Sequence, residues 1–256
     1  MNLLLAIPTA GSPSAPFLAS LQVLQMPDAA TAFDRITIRG NFVPGQRELA
    51  ARRALSLDAD VLFMFDDDMI VPPDAMVRII DALLADDRLA VVGGLYYSRD
   101  GIRPMAADHW RSQDTTSAAI PAFSSGVTYC DVVGFGCVAI RVSALRSMPP
   151  PYFNTQVYVE EKAARVRLCN EDYLFCEDVR RSGWRVALHA GVRCKHYDRA
   201  SSTAQPREWE DLSATRVERM IVVDDGPTYR VVPYDTSVST ARERHSAAHV
   251  DYIIVD

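Results

Sequence analysis

Three consecutive carboxylates, Asp66-Asp67-Asp68, follow directly on the apolar run Val61-Leu62-Phe63-Met64-Phe65. Acids crowded this closely repel one another unless a cation sits among them. Hard divalent ions with oxygen ligands, Mg2+ or Mn2+, suit that task and commonly hold substrate phosphates as well. The alternative is a solvated acidic turn ahead of a helix started by Pro72-Pro73-Asp74, since acids near a helix N-terminus are ordinary. A second acidic group, Asn170-Glu171-Asp172, opens a helical stretch, and His196-Tyr197-Asp198 closes a strand-like one. If the three groups meet, they supply a metal site, a general base and a further ligand. Taken alone, Glu171-Asp172 reads more simply as charge complementing a helix N-terminus, and a lone histidine as a surface or packing residue.

The elements that must position these groups alternate. Residues 2–7 read as a strand, 15–25 as a helix, and Ile36-Thr37-Ile38 as a second strand. Gln46 to Leu57 has apolar residues at helical spacing (Leu49, Ala50, Ala54, Leu57). Asp60 to Phe65 has the continuous apolar character of a buried parallel strand, whose carboxyl end is where open α/β sheets bind ligands. Asp74 to Leu84 is an amphipathic helix with Met76, Ile79, Ile80, Leu83 and Leu84 as its buried face, and Leu89 to Val92 is a fourth strand stopped by Gly93-Gly94. Such alternation predicts an α/β fold, a mixed, mostly parallel central sheet with helices on both faces.

Residues 98–126 are polar and without a period, and read as a long connection. Strands are expected at Tyr129 to Val133 and Val138 to Ile140, around a Gly134-Phe135-Gly136 that is either a close approach to a ligand or a plain turn. A helix from Asn170 to Ser182 stops at Gly183. Strands follow at Arg185 to Leu188 and Val192 to Lys195, then a helix near 206–221 and short strands at Tyr229 to Val232 and Val250 to Val255.

The chain has 256 residues, 48% of them hydrophobic, enough for a sizeable core. Its net charge of −6 argues against broad adhesion to nucleic acid or anionic membranes. The five cysteines (Cys130, Cys137, Cys169, Cys176, Cys194) form no CxxC pair, which favours reduced thiols and a cytoplasmic setting. Cys169 and Cys176 read as packing residues. The apolar N-terminus is short, lacks a basic flank and reads as a strand, not a signal peptide, and no run approaches the about 20 residues of a membrane helix.

The order of motifs resembles the GT-A fold glycosyltransferases, in particular the family 2-like group, over roughly residues 2–200. The matching features are Ile7-Pro8-Thr9, a strand ending in Asp66-x-Asp68, Gly134-x-Gly136 before a strand, Glu171-Asp172-x-x-x-Cys176, Gly183-Trp184-Arg185-Val186, and a strand ending in His196. The resemblance implies a Rossmann-like GT-A domain over 1–200, with a nucleotide-binding part at 1–97 and an acceptor-side part at 98–200. Residues 201–256 are then a C-terminal extension packed on the same domain. The implied activity is metal-dependent transfer of a sugar from a nucleotide-sugar donor, a UDP- or GDP-sugar, to an acceptor hydroxyl.

By the same resemblance Pro8 and Thr9 line the base pocket, although Ala10-Gly11-Ser12 stands where relatives often carry an acid. Arg47 meets base or diphosphate, or else lies on a solvated helix face. Asp66 serves the ribose or assists the metal, and Asp68 and His196 ligate Mn2+ or Mg2+. Asp67 counts with the donor-binding residues but is free to point away, since neighbours on an extended segment face opposite sides. Gly136 approaches the donor sugar. Asp172, with Glu171 as understudy, deprotonates the acceptor in an inverting reaction. Trp110 and Tyr97 are candidate acceptor walls.

Nucleotidyl transfer shares the α/β pattern and acidic metal ligands, but usually has a basic Gly-rich loop after the first strand. Here Ala10-Gly11-Ser12-Pro13-Ser14 lacks Lys and Arg. A non-catalytic nucleotide-sugar-binding protein would be expected to have lost one of Asp66, Asp68 or Asp172. The acceptor is open. Gly94-Leu95-Tyr96-Tyr97 resembles small virus-encoded members of the group, some of which glycosylate hydroxymethylated DNA bases. For such an enzyme the compartment would be the host cytoplasm. Arg99, Arg103, Arg111, Arg193, Lys195 and Arg199 are a candidate basic strip for DNA.

Overall fold

The computed structural model describes residues 1–113, 119–120, 126–160, 165–206, 220–224, 229–233 and 249–254. The first half alternates as β1 (Asn2–Thr9), α1 (Ala15–Gln22), β2 (Ala32–Arg39), α2 (Val43–Ser56), β3 (Val61–Phe65), β4 (Met69–Ile70), α3 (Ala75–Ala85) and β5 (Leu89–Leu95). Short strands follow: β6 (Ala106–Ala107), β7 (Ala119–Ile120), β8 (Val127–Cys130) and β9 (Val132–Val133), before β10 (Cys137–Arg141) and α4 (Val142–Arg146). A hairpin of β11 (Gln156–Glu160) and β12 (Arg165–Cys169) leads into α5 (Glu171–Arg181), β13 (Arg185–Arg193), β14 (Lys195–Asp198) and β15 (Thr203–Gln205). The remaining strands are β16 (Met220–Asp224), β17 (Tyr229–Pro233) and β18 (His249–Ile254).

The central sheet has seven strands in the order β2-β1-β3-β10-β5-β13-β8. β2, β1, β3, β5 and β13 run one way, and β10 and β8 run against them. The sheet is therefore mixed and mostly parallel, as expected. Its two faces are packed separately. Val61, Phe63 and Phe65 join Phe17 of α1 and Met76, Ile79, Ile80 and Leu83 of α3 in one core cluster. Leu62 and Met64, on the opposite face, join Ala50, Ala51 and Ala54 of α2 and Leu174, Phe175 and Val179 of α5. Two-residue alternation along β3 thus feeds helices on both sides.

Several expectations need correction. Leu84, assigned to the buried face of α3, is exposed, because the buried stripe of that helix runs through Met76, Ile79, Ile80 and Leu83; Leu49, at helical spacing with Ala50 and Ala54 on α2, is exposed as well. β5 does not stop at Gly93-Gly94 but runs through them. A Cβ at Gly93 would meet the Val133 side chain at 3.0 Å, and one at Gly94 would meet the Cys137 sulfur at 3.2 Å, so the glycines are there for close packing. The two strands expected over 185–195 are β13, with register shifts against β5, followed by β14, and His196 lies inside β14 instead of ending a strand. The turn at Gly183 is as expected, with φ +88°. The expected helix near 206–221 falls almost wholly outside the described residues. All five cysteines are buried free thiols.

The arrangement gathers the chemistry on one edge. Thr9 ends β1, Asp66 follows β3, Tyr96 follows β5, and Gly136 precedes the reversed β10. β14 pairs with β4 and with β15, which brings His196 opposite Met69, next to Asp68.

Candidate active site

The three aspartates do not converge; they fan out to three sets of partners. Asp66 turns toward α2, where Arg47 Nη2 donates to both its oxygens at 2.9 and 3.0 Å. Asp67 turns toward β1, accepting from the Thr9 hydroxyl at 2.5 Å, and pairs with Arg199 at 2.7 Å. Asp68 turns toward β14, with Arg99 Nη2 at 2.8 Å and His196 Nε2 at 3.2 Å. The backbone fixes this divergence. The Asp66 N–H donates to the Gly136 carbonyl, the Asp67 carbonyl accepts from Ser14, and the Asp68 carbonyl accepts from Tyr197.

Arg47 also reaches the second acidic motif, its Nη1 lying 2.5 Å from Glu171 Oε1. Its side chain is 5% exposed, so the solvated helix face is excluded. Gln46 beside it, also buried, donates from Nε2 to the carbonyls of Thr9 and Ile38, holding the ends of β1 and β2. Glu171 and Asp172 occupy the first turn of α5, and both are buried. Asp172 Oδ1 accepts from its neighbour's amide, Tyr173 N–H, at 2.8 Å.

The electrostatics follow from this burial. Desolvation pushes the Asp172 carboxyl up to a pKa of about 7; Arg47 opposes the rise, while Glu171 and Asp66 add to it. Desolvation likewise raises Asp66, again against Arg47. For Arg47, burial favours the neutral form, but Asp66, Glu171 and Asp172 outweigh it and keep the guanidinium charged. Burial would raise Asp68, yet His196 and Arg99 outweigh it and hold the carboxyl below its usual range. One carboxyl is thus kept ionised at the strand end while another, at the start of α5, is poised near neutrality.

Among the described residues no group of three or more His, Cys, Asp or Glu side chains gathers as metal ligands. The donors that do meet are Asp68 Oδ2 and His196 Nε2. His196 Nδ1 lies 3.2 Å from the Tyr97 carbonyl, which can only accept, so Nδ1 carries a proton in either state of the ring, while Nε2 carries one when it donates to Asp68 and is bare only in the neutral ring. Arg99 reaches both groups, its Nη2 2.8 Å from Asp68 Oδ2 and its Nε 3.3 Å from His196 Nε2. One carboxylate and one imidazole facing a cation fit a divalent ion that takes its remaining ligands from water and phosphate.

The other expected residues are more scattered. Gly136 donates its N–H to the Tyr96 hydroxyl at 3.0 Å, beside Asp66. Burial raises the Tyr96 phenol well above its ordinary range, with Asp66 and Asp172 adding to the effect. Trp110 lies within the core, edge-on to Tyr173 at 5.5 Å. Tyr97 is half-buried beside His196. Arg99 and Arg199, grouped by sequence with a basic strip, direct their guanidiniums into the acidic site. Nothing in their spacing signals this, since strand pairing and a turn deliver them.

No protein-family model matches the chain, and no curated protein matches it. Among solved structures, the crystal structure of A197 from STIV aligns with 82% of this chain and 96% of its own, at 18% identity and a TM-score of 0.54. The structure of CMP:2-keto-3-deoxy-manno-octonic acid synthetase complexed with CTP covers 80% of this chain and 94% of its own, at 11% identity and a TM-score of 0.44. At 18% identity, what this chain shares with A197 is the fold.

Proposed function

We propose that this chain is a metal-dependent glycosyltransferase that moves a sugar from a nucleotide-sugar donor to an acceptor hydroxyl with inversion. The observation that carries the reading is Asp172. It is a buried carboxyl poised near pH 7 at the start of α5, joined through Glu171 and Arg47 to the acid that ends β3. A general base works best with a pKa near the working pH.

Pro8 and Thr9 line the base pocket and Asp66 and Asp67 lie on the donor side, while Gly136, packed against Met69 and Tyr96, serves the site by holding the Asp66 amide rather than by approaching the sugar. Asp68 and His196 would hold Mn2+ or Mg2+. A cation bound there would stabilise charge on the leaving diphosphate. Asp172 accepts the acceptor's O–H proton as its oxygen attacks the anomeric carbon. The bond from that carbon to the diphosphate oxygen breaks, and the nucleoside diphosphate leaves with the bonding electrons.

A thermal-shift screen of sugar nucleotides with and without Mn2+ tests the reading, since a bound partner stabilises by mass action. A melting shift with a UDP- or GDP-sugar that requires Mn2+ is the expected result. No shift with any sugar nucleotide would overturn it.

A further inference from the structure

Arg47 sits on α2, distant in sequence from both acidic motifs, yet its guanidinium lies between them. Nη2 grips both oxygens of Asp66, and Nη1 grips Glu171. Its Cζ lies 5.4 Å from the centroid of the Phe135 ring. Its Nε is buried without a hydrogen-bond partner. Neutralising charge alone needs none of this, because an ammonium would serve as a point charge. A planar fork does something different: it fixes two carboxylates at a set spacing, and the aromatic ring beneath it helps set the plane of the fork. Asp172 is the next residue after Glu171 in the first turn of α5, so holding Glu171 aims Asp172.

We infer that Arg47 is a positioning residue. By tying Asp66 at the end of β3 to Glu171 on α5, it sets the separation between the donor-side acid and the base. The kinetic consequence rests on the glycosyl-transfer reading; the tie itself does not. The charge on Arg47 also favours ionised Asp172, against the burial that opposes it.

Arg47→Lys keeps the charge and removes the fork. Two measurements on the full chain decide the matter: amide hydrogen exchange along α5, and kcat and KM with the sugar nucleotide that stabilises the protein. In Arg47→Lys the Tyr173 amide is expected to exchange at least about tenfold faster, while amides around Val179 keep wild-type protection. kcat is expected to fall by on the order of 100-fold, with donor KM changed by less than about tenfold. Wild-type Tyr173 exchange, or wild-type kcat, would overturn the inference. So would uniformly faster exchange along α5, which would mark Arg47 as merely structural. Should Arg47→Lys fail to fold, Glu171→Gln serves instead. It keeps an acceptor oxygen for Nη1 and relieves one buried charge, so a smaller rise in Tyr173 exchange is expected, and none would overturn the tie. If the wild type turns over no sugar nucleotide, the glycosyl-transfer reading fails by itself while the exchange data still decide the role of Arg47.

Discussion

Asp68 and Asp172 are both carboxylates beside one sheet edge, yet their surroundings push them opposite ways. Asp68 has His196 and Arg99 to outweigh its burial, and Asp172 has burial dominant. Asp68→Ala is expected to lower the melting temperature modestly, because a buried carboxylate bonded to His196 and Arg99 is lost, and to abolish Mn2+-dependent stabilisation by sugar nucleotides. Retained stabilisation would place the cation elsewhere. Asp172→Asn is expected to bind donor normally and to lose at least about 100-fold in transfer rate. Because the base must be ionised, the wild-type rate should climb with pH through about 7, the value to which burial lifts Asp172. A rate flat from pH 5.5 to 8 would assign the proton transfer to another group. The acidic groups themselves are legible from residue type and order, but the partners that the fold brings to them are not. Nothing in the sequence near Arg99 or Arg199 says that each pairs with an acid of the site, or near Tyr96 that its hydroxyl takes the Gly136 amide, since tertiary pairing brings them there.

Apolar patterning is legible where an element buries most of an apolar face, as in β1, β3 and, apart from Leu84, α3. β2 shows itself in the sequence only at Ile36-Thr37-Ile38, because its first residues are exposed at the sheet edge and carry little apolar signal. The β11–β12 hairpin is absent from the sequence expectations although its residues alternate, with Val157 paired to Leu168 and Val159 to Val166. Those four aliphatic side chains are all exposed, so the alternation has no packed partner to explain it. The glycines before β10 show the reverse, a turn signal whose purpose only packing reveals. A Cβ at Gly134 would fall 2.8 Å from the Met105 Cβ and closer still to the Tyr96 hydroxyl. Gly134→Ala is expected to lower stability by about 1–3 kcal/mol, the usual range for overpacking. Unfolding in urea checks this, and an unchanged midpoint would show that the turn yields freely.

For the molecule as a whole, the buried carboxyls make stability depend on pH. Asp172 titrates higher in the folded chain than in the unfolded one, so its folded form holds a proton between about pH 4 and 7 that the unfolded form has released. The stability this contributes is fully present below the unfolded value and is lost as pH rises through about 7. Asp172→Asn removes the dependence, so its melting temperature relative to wild type should increase from pH 5 to pH 8. A constant difference would mean that Asp172 is not the group responsible. The reversed strand between β3 and β5 has a consequence for synthesis. Both strands leave the ribosome before β10 is made, and the flanks they will offer it stay unpaired until residue 141 has emerged. The Gly136 carbonyl that takes the Asp66 N–H arrives on the same late segment. A nascent chain that stalls short of it carries the acidic motif with Thr9, Ser14 and Arg47 already made but without Gly136 and His196, so the edge that bears the acids is completed only after the sheet has been closed from within.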